Sequence, residues 1–87
     1  MKFRDEFFSR EDRYSLGVEE ESGKYYASLP VSNGVVDYEE YYELSAEEYA
    51  RFLADPAAAV AFITECRERQ HDDRLLQKPG WNRGTPI

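Results

Sequence analysis

Few residues in this 87-residue chain are equipped for chemistry: His71 is the sole histidine and Cys66 the sole cysteine. On one helix, five positions apart, they would point about 140° away from each other, so they do not form a nucleophile-base pair. One histidine and one cysteine cannot assemble a zinc site. His71-Asp72-Asp73 reads as a polar helix end. Carboxylates are the richer resource, and a glycosidase needs only two of them, one kept protonated by apolar surroundings. Glu39 shares a strand face with Glu19 and Glu43, but that face reads as open and solvated, with nothing to raise one pKa selectively. Glu40 differs. The strand register places it opposite Ala27 on the apolar face, where an ionised carboxylate is costly unless paired. It is expected at the end of the sheet near Glu20, Tyr25 and Tyr42, reaching water or an arginine such as Arg51; a specificity-setting hydrogen-bond network is the alternative. No calcium loop, phosphate-binding Gly-rich loop, nucleophile elbow or Cys-x-x-Cys occurs. No catalytic residue, metal ligand or cofactor is therefore expected.

Charge carries more information than any motif. The chain holds 11 Lys+Arg against 18 Asp+Glu, a net charge of -7. Residues 14 to 48 hold one basic residue, Lys24, against nine acidic ones, so this segment alone carries -8. Six of the seven tyrosines lie in the same stretch. Both nucleic acids and anionic membranes need positive charge on their ligands, so neither is expected as a direct partner, and a basic protein fits better. With 13 aromatic residues, the sum of Trp 1, Tyr 7 and Phe 5, the composition is that of one folding domain over 1–87 rather than a disordered acidic tail. A single cysteine and no long apolar run point to the cytoplasm.

The elements that must present these groups follow from periodicity. From Arg13 to Leu44 apolar and polar residues alternate, and Ser22-Gly23 and Asn33-Gly34 cut the stretch into three runs. This predicts an α+β fold with a three-stranded antiparallel meander over about 13–44. Centring the hairpins on those turns sets Leu16 against Leu29, Val31 against Val36, and Tyr26 against Tyr41. A strand from Lys24 to Ser32 cannot have two-residue loops at both ends, so one loop is longer or the strand is bulged. Pro30, lacking an N–H, must face an unpaired end of the first strand or mark that bulge. After Leu44 the period becomes helical. Ser45 and Glu48 form a capping box before Ala46, Tyr49, Ala50 and Leu53. Asp55-Pro56 starts a second helix with the stripe Ala59, Phe62, Ile63 and Cys66. Two short helices, about 46–54 and 56–71, are expected on the apolar face of the sheet. Leu75-Leu76 suits a short strand or a docking contact, and Phe3, Phe7 and Phe8 suit a helical turn. Residues 78–87 read as an irregular Gly/Pro-containing tail, in which Trp81 and Arg83 are secondary candidates; the tryptophan either anchors a partner or folds back onto the edge of the core.

The face opposite the helices then carries five carboxylates, Glu19, Glu21, Asp37, Glu39 and Glu43, around Tyr26 and Tyr41, with Lys24 as its one cation. Carboxylates solubilise exposed strands, yet the single sign also suits steered association with a basic partner, and tyrosines supply rigid contact area. A small acidic sheet-plus-helices chain with the run Asp37-Tyr38-Glu39-Glu40-Tyr41-Tyr42-Glu43 resembles the small immunity proteins that bacteria make against their own polymorphic or contact-dependent toxins. The resemblance implies stoichiometric inhibition by covering a basic active site, a nuclease-type toxin being the model partner. A small enzyme or ligand-binding domain around Glu40 or His71 is the alternative, and a structural or oligomerising protein a third.

Overall fold

The computed structural model describes residues 1–87 as an antiparallel sheet backed on one face by two helices. The strands are β1 (Phe3–Ser9), β2 (Tyr14–Glu19), β3 (Tyr25–Ser32), β4 (Asp37–Leu44) and, after the helices, β5 (Thr85–Pro86). Helix α1 spans Ala46–Ala54, α2 spans Pro56–Arg67, and a 3-10 turn covers Asp72–Arg74. The sheet order is β1-β2-β3-β4, with β5 beside β3. The class is α+β, but the sheet has two more strands than the sequence predicts. No helix is long and apolar enough to cross a membrane.

The aromatic-rich start is a strand and not a helical turn. The β1–β2 register shifts between Asp5 and Phe7, so Glu6 is an extra, bulged residue. The bulge puts Phe3 and Phe8 on the face away from the helices and turns Phe7 toward Tyr14, with ring centroids 5.8 Å apart. A two-residue period interrupted in this way no longer reads as alternation.

Both hairpins pair two residues away from the predicted register: Leu16 lies opposite Ala27, Val31 opposite Tyr38, Tyr26 opposite Glu43 and Ser28 opposite Tyr41. The turns are longer than two residues. Asn33 Oδ1 accepts from the N–H groups of Val35 and Val36, both at 2.9 Å, and Gly34 takes φ 88, so the second loop runs through four residues, 33–36. A slip of two leaves each side chain on its expected face, because side chains alternate with period two. Pro30 lies past the last β2 pair, Ser15 with Ser28. Its missing N–H therefore faces a lane β2 has left, and β5 enters that lane further on, the Ile87 N–H donating to the Pro30 carbonyl at 3.2 Å. The tail is thus not wholly irregular.

The core is one cluster of 13 buried residues between sheet and helices. The α2 stripe is as predicted, Ala59, Phe62, Ile63 and Cys66 all being buried. In α1 the buried pair is Tyr49 and Phe52, whereas Leu53, Ala46 and Ala50 face outward; the helix is rotated so that Phe52 meets Phe62 at 5.3 Å between centroids. The capping box is complete, Ser45 Oγ accepting from the Glu48 N–H at 3.1 Å and Glu48 Oε1 from the Ser45 N–H at 2.9 Å. Helix α2 stops at Arg67, short of the predicted 71, and Arg69 follows with φ 61. Leu75 forms a single bridge with Tyr42, and the Leu76 N–H donates to the Tyr41 carbonyl at 2.9 Å, covering part of the outer edge of β4.

Candidate functional site

The face away from the helices curls into a shallow groove filled at its middle by aromatic rings. Strands β1 and β4 are three strand spacings apart, about 14 Å in a flat sheet, yet the rings of Phe3 and Tyr41 stack with centroids 3.6 Å apart. Tyr26 meets both rings edge-on, at 5.4 and 5.0 Å. The sheet curls around this aromatic group. Gly17 makes room for it, since a Cβ there would lie 2.5 Å from the Tyr26 hydroxyl. That hydroxyl donates to Asp5 Oδ1 across β2. Burial, then the Asp5 bond and charge, push the Tyr26 phenol well above its ordinary pKa.

Around this group lie carboxylates whose charges act on one another. Glu39 is half-buried and accepts from Ser28 Oγ at 3.2 Å. Its pKa is raised, chiefly by burial and also by the Asp5 charge, with the Ser28 bond opposing. This corrects the expectation of uniform solvation: one carboxyl of the groove does hold its proton to higher pH than an ordinary glutamate. Tyr41 is raised by burial and then by Glu39 and Asp5.

The residues predicted for partner binding divide. Asp37 and Glu43 are exposed on β4, Glu43 3.7 Å from Lys24 Nζ, and Glu39 and Tyr41 are half-buried in the groove. Glu21 is exposed, but in the β2–β3 loop rather than on a strand. Glu19 and Tyr26 are buried, at 2% and 0% exposure, and cannot meet a partner. Phe3 and Asp5 belong to the groove and escaped prediction because the bulge hides β1; the Phe3-Arg4-Asp5 alternation was their one signal.

Glu19 is a structural group. Its carboxylate accepts from the Lys2 N–H at 2.8 Å, the Glu21 N–H at 3.0 Å, the Ser22 N–H at 2.9 Å and Ser22 Oγ at 2.6 Å. The Ser22 hydroxyl foremost, then the backbone donors, lower its pKa to about 2. An unfolded glutamate titrates near ~4.3, so the contribution of Glu19 to stability is complete above that value and lost as pH falls toward 2. Glu19→Gln is expected to lower the urea midpoint at neutral pH and to flatten its acid dependence; unfolding curves collected between about pH 5 and 2 check both.

Glu40 is 6% exposed. Its partner is Arg83 and not Arg51: Nε donates to Oε2 at 2.8 Å and an Nη to Oε1 at 3.0 Å, while the other side of the guanidinium holds Asp72 at 2.7 and 2.9 Å. The Tyr42 hydroxyl adds a bond to Glu40 Oε1 at 3.0 Å. The tail is thereby anchored to the sheet, and the Gly84 N–H donates to the Tyr38 hydroxyl at 2.7 Å. Trp81 does not fold back onto the core: it is 98% exposed, with Val35 at 83% and Val36 at 53%, and Asn33 Nδ2 meets the Asn82 carbonyl near the same hairpin at 3.5 Å.

Cys66 and His71 are no dyad. Burial raises the Cys66 thiol to about 12, whereas His71 stacks on Phe62 at 4.7 Å and lies 2.7 Å from Glu65. No group of three or more His, Cys, Asp or Glu side chains is arranged to hold a metal ion. Comparison with protein-family models, curated proteins and solved structures finds no match to this chain.

Proposed function

We propose that this chain is a protein-binding domain that engages a basic partner through the groove and the exposed carboxylates of β4, inhibiting it in the manner of an immunity protein. One observation carries the reading. Asp5, Asp37 and Glu39 have no cationic partner within the chain, although 11 Lys+Arg are available and Glu43 on the same surface is paired with Lys24. Carboxylates left unpaired, two of them (Asp5 and Glu39) beside the groove's tyrosines, attract guanidinium and ammonium groups from outside. Trp81, whose residue type is enriched at binding hot spots, stands in water beside the same hairpin.

A pocket around Glu40 or His71 has less support. A cleft of about 300 Å³ does reach Glu40, but both of its carboxylate oxygens are bonded to Arg83. His71 lines none of the three clefts.

Capture of proteins from the native host on immobilised chain, read by mass spectrometry, tests the proposal against an Asp37→Lys/Glu43→Lys variant. Basic proteins retained by the parent and released by modest salt are expected, and association of a captured partner should slow about tenfold in the variant. Equal retention by both chains, with equal salt dependence, would overturn the reading.

A further inference from the structure

A second part of the groove has the opposite character. Between the end of β1, the β1–β2 loop and β5 lies a cleft of about 470 Å³, within the range of small-molecule sites. Phe8, Pro30 and Ile87 line it, Phe8 being 61% and Ile87 47% exposed. Arg10 and Arg13 also line it, and neither makes an ion pair or a side-chain hydrogen bond within the chain. In a chain of net charge -7, two arginines with unpaired guanidiniums in the lining of one cleft are unspent positive charge.

The loop that presents them is held in place. Ser9 Oγ accepts from the Asp12 N–H at 3.1 Å, and Arg67 from the end of α2 donates to the carbonyls of Asp12 and Arg13 at 2.8 and 3.2 Å. Arg13 itself takes φ 55. Ser15 also lines the cleft. It is only 3% exposed, its hydroxyl bonds nothing within the chain, and no buried side-chain oxygen is cut off from both solvent and partners, so the hydroxyl opens onto the cleft. Glu39 forms part of the lining as well and repels a negative charge placed near it.

We infer that this cleft binds a small organic anion with an apolar body, its carboxylate or phosphate held by Arg10 and Arg13, a polar atom meeting the Ser15 hydroxyl and its hydrocarbon lying on Phe8, Pro30 and Ile87. Each group then has a use that the fold does not give it. Two cationic forks suit an oxyanion, the three apolar residues lose their contact with water, and Glu39 disfavours a head group pointing the other way.

Titration of the full chain with phenylbutyrate, phenyl phosphate and phenylbutylamine, followed by amide chemical shifts, tests this. One or both anions should shift amides between residues 8 and 15 saturably below about 10 mM, and the amine should not. The better anion identifies carboxylate or phosphate as the head group. Arg10→Ala/Arg13→Asn, with asparagine chosen because it accepts the left-handed backbone, should weaken anion binding about tenfold. Glu39→Gln should strengthen it about threefold. Ser15→Ala should weaken it about threefold at an unchanged melting temperature, since that hydroxyl bonds nothing in the fold. An amine that shifts the same amides as strongly, anions that fail to saturate, or arginine replacements without effect would overturn the inference. Should the double variant not fold, the comparison of anions with amine on the parent chain decides alone.

Discussion

Replacing Arg83 with alanine is expected to destabilise the chain by about 3–5 kcal/mol, the cost of leaving a buried charge without its partner. Glu40, 6% exposed, would keep only the Tyr42 hydroxyl, and Asp72 would lose the guanidinium that holds its pKa down. A domain of this size has only about 5–15 kcal/mol in total, so most of the stability is at stake. The pair itself need not stabilise. Replacing both members by apolar residues, as in Glu40→Leu/Arg83→Met, should recover most of the loss, because desolvation offsets much of the attraction in a buried pair. Urea unfolding of the single and double variants separates these effects. A single variant within about 1 kcal/mol of the parent would show that the tail does not hold Glu40.

The second large effect is expected at Gly17. A methyl group there would be placed on the Arg4 carbonyl and 2.5 Å from the Tyr26 hydroxyl, so either β1 or the Tyr26 ring must move. Neither can move freely: β1 is paired to β2 on both sides of its bulge, and Tyr26 is fully buried between Phe3 and Tyr41. Gly17→Ala should cost about 2–3 kcal/mol, as overpacking does in a closed site. Tyr26→Phe keeps the ring and removes only the bond to Asp5, which predicts about 1 kcal/mol. In the Gly17→Ala background Tyr26→Leu should cost less than it does alone, because the shared space couples the two positions. Thermal unfolding with near-ultraviolet circular dichroism reads both the stability and the stacked rings. Additive effects would mean that Tyr26 does not lie over Gly17.

What could be read beforehand depended on whether a feature was local and periodic. Helix α2 was legible because Asp55-Pro56 and a regular apolar stripe coincide, and Ser45 with Glu48 announced α1. The faces of β2, β3 and β4 were legible even with the wrong register, since an error of two preserves the side on which a residue lies. Strand β1 was not, because one extra residue at Glu6 merges two alternating patterns. The fate of Glu19 was hidden for another reason: its donors include the Lys2 N–H, brought in by that same unrecognised strand. The partner of Glu40 lies 43 residues away in a segment without periodicity. Charge clustering located the acidic region, yet only the curl of the sheet tells that Tyr26 is inside and that Asp5 belongs with Glu39.

The order of pairing along one side of β3 has a bearing on self-association. β2 leaves β3 after Ser28, Pro30 has no N–H to offer, and β5 occupies the remaining lane at Val31 and Ser32. Were that lane vacant, the Pro30 carbonyl and the backbone of Ser32 would be open to strand addition by another chain, next to the exposed Val35 and Val36. Short, proline-containing edge strands are a common defence against such pairing, and Thr85–Pro86 is one, tied down by Arg83 and by Gly84 lying against Ser32. The ion pair that satisfies Glu40 therefore also holds β5 in this lane and closes it to a strand from another chain.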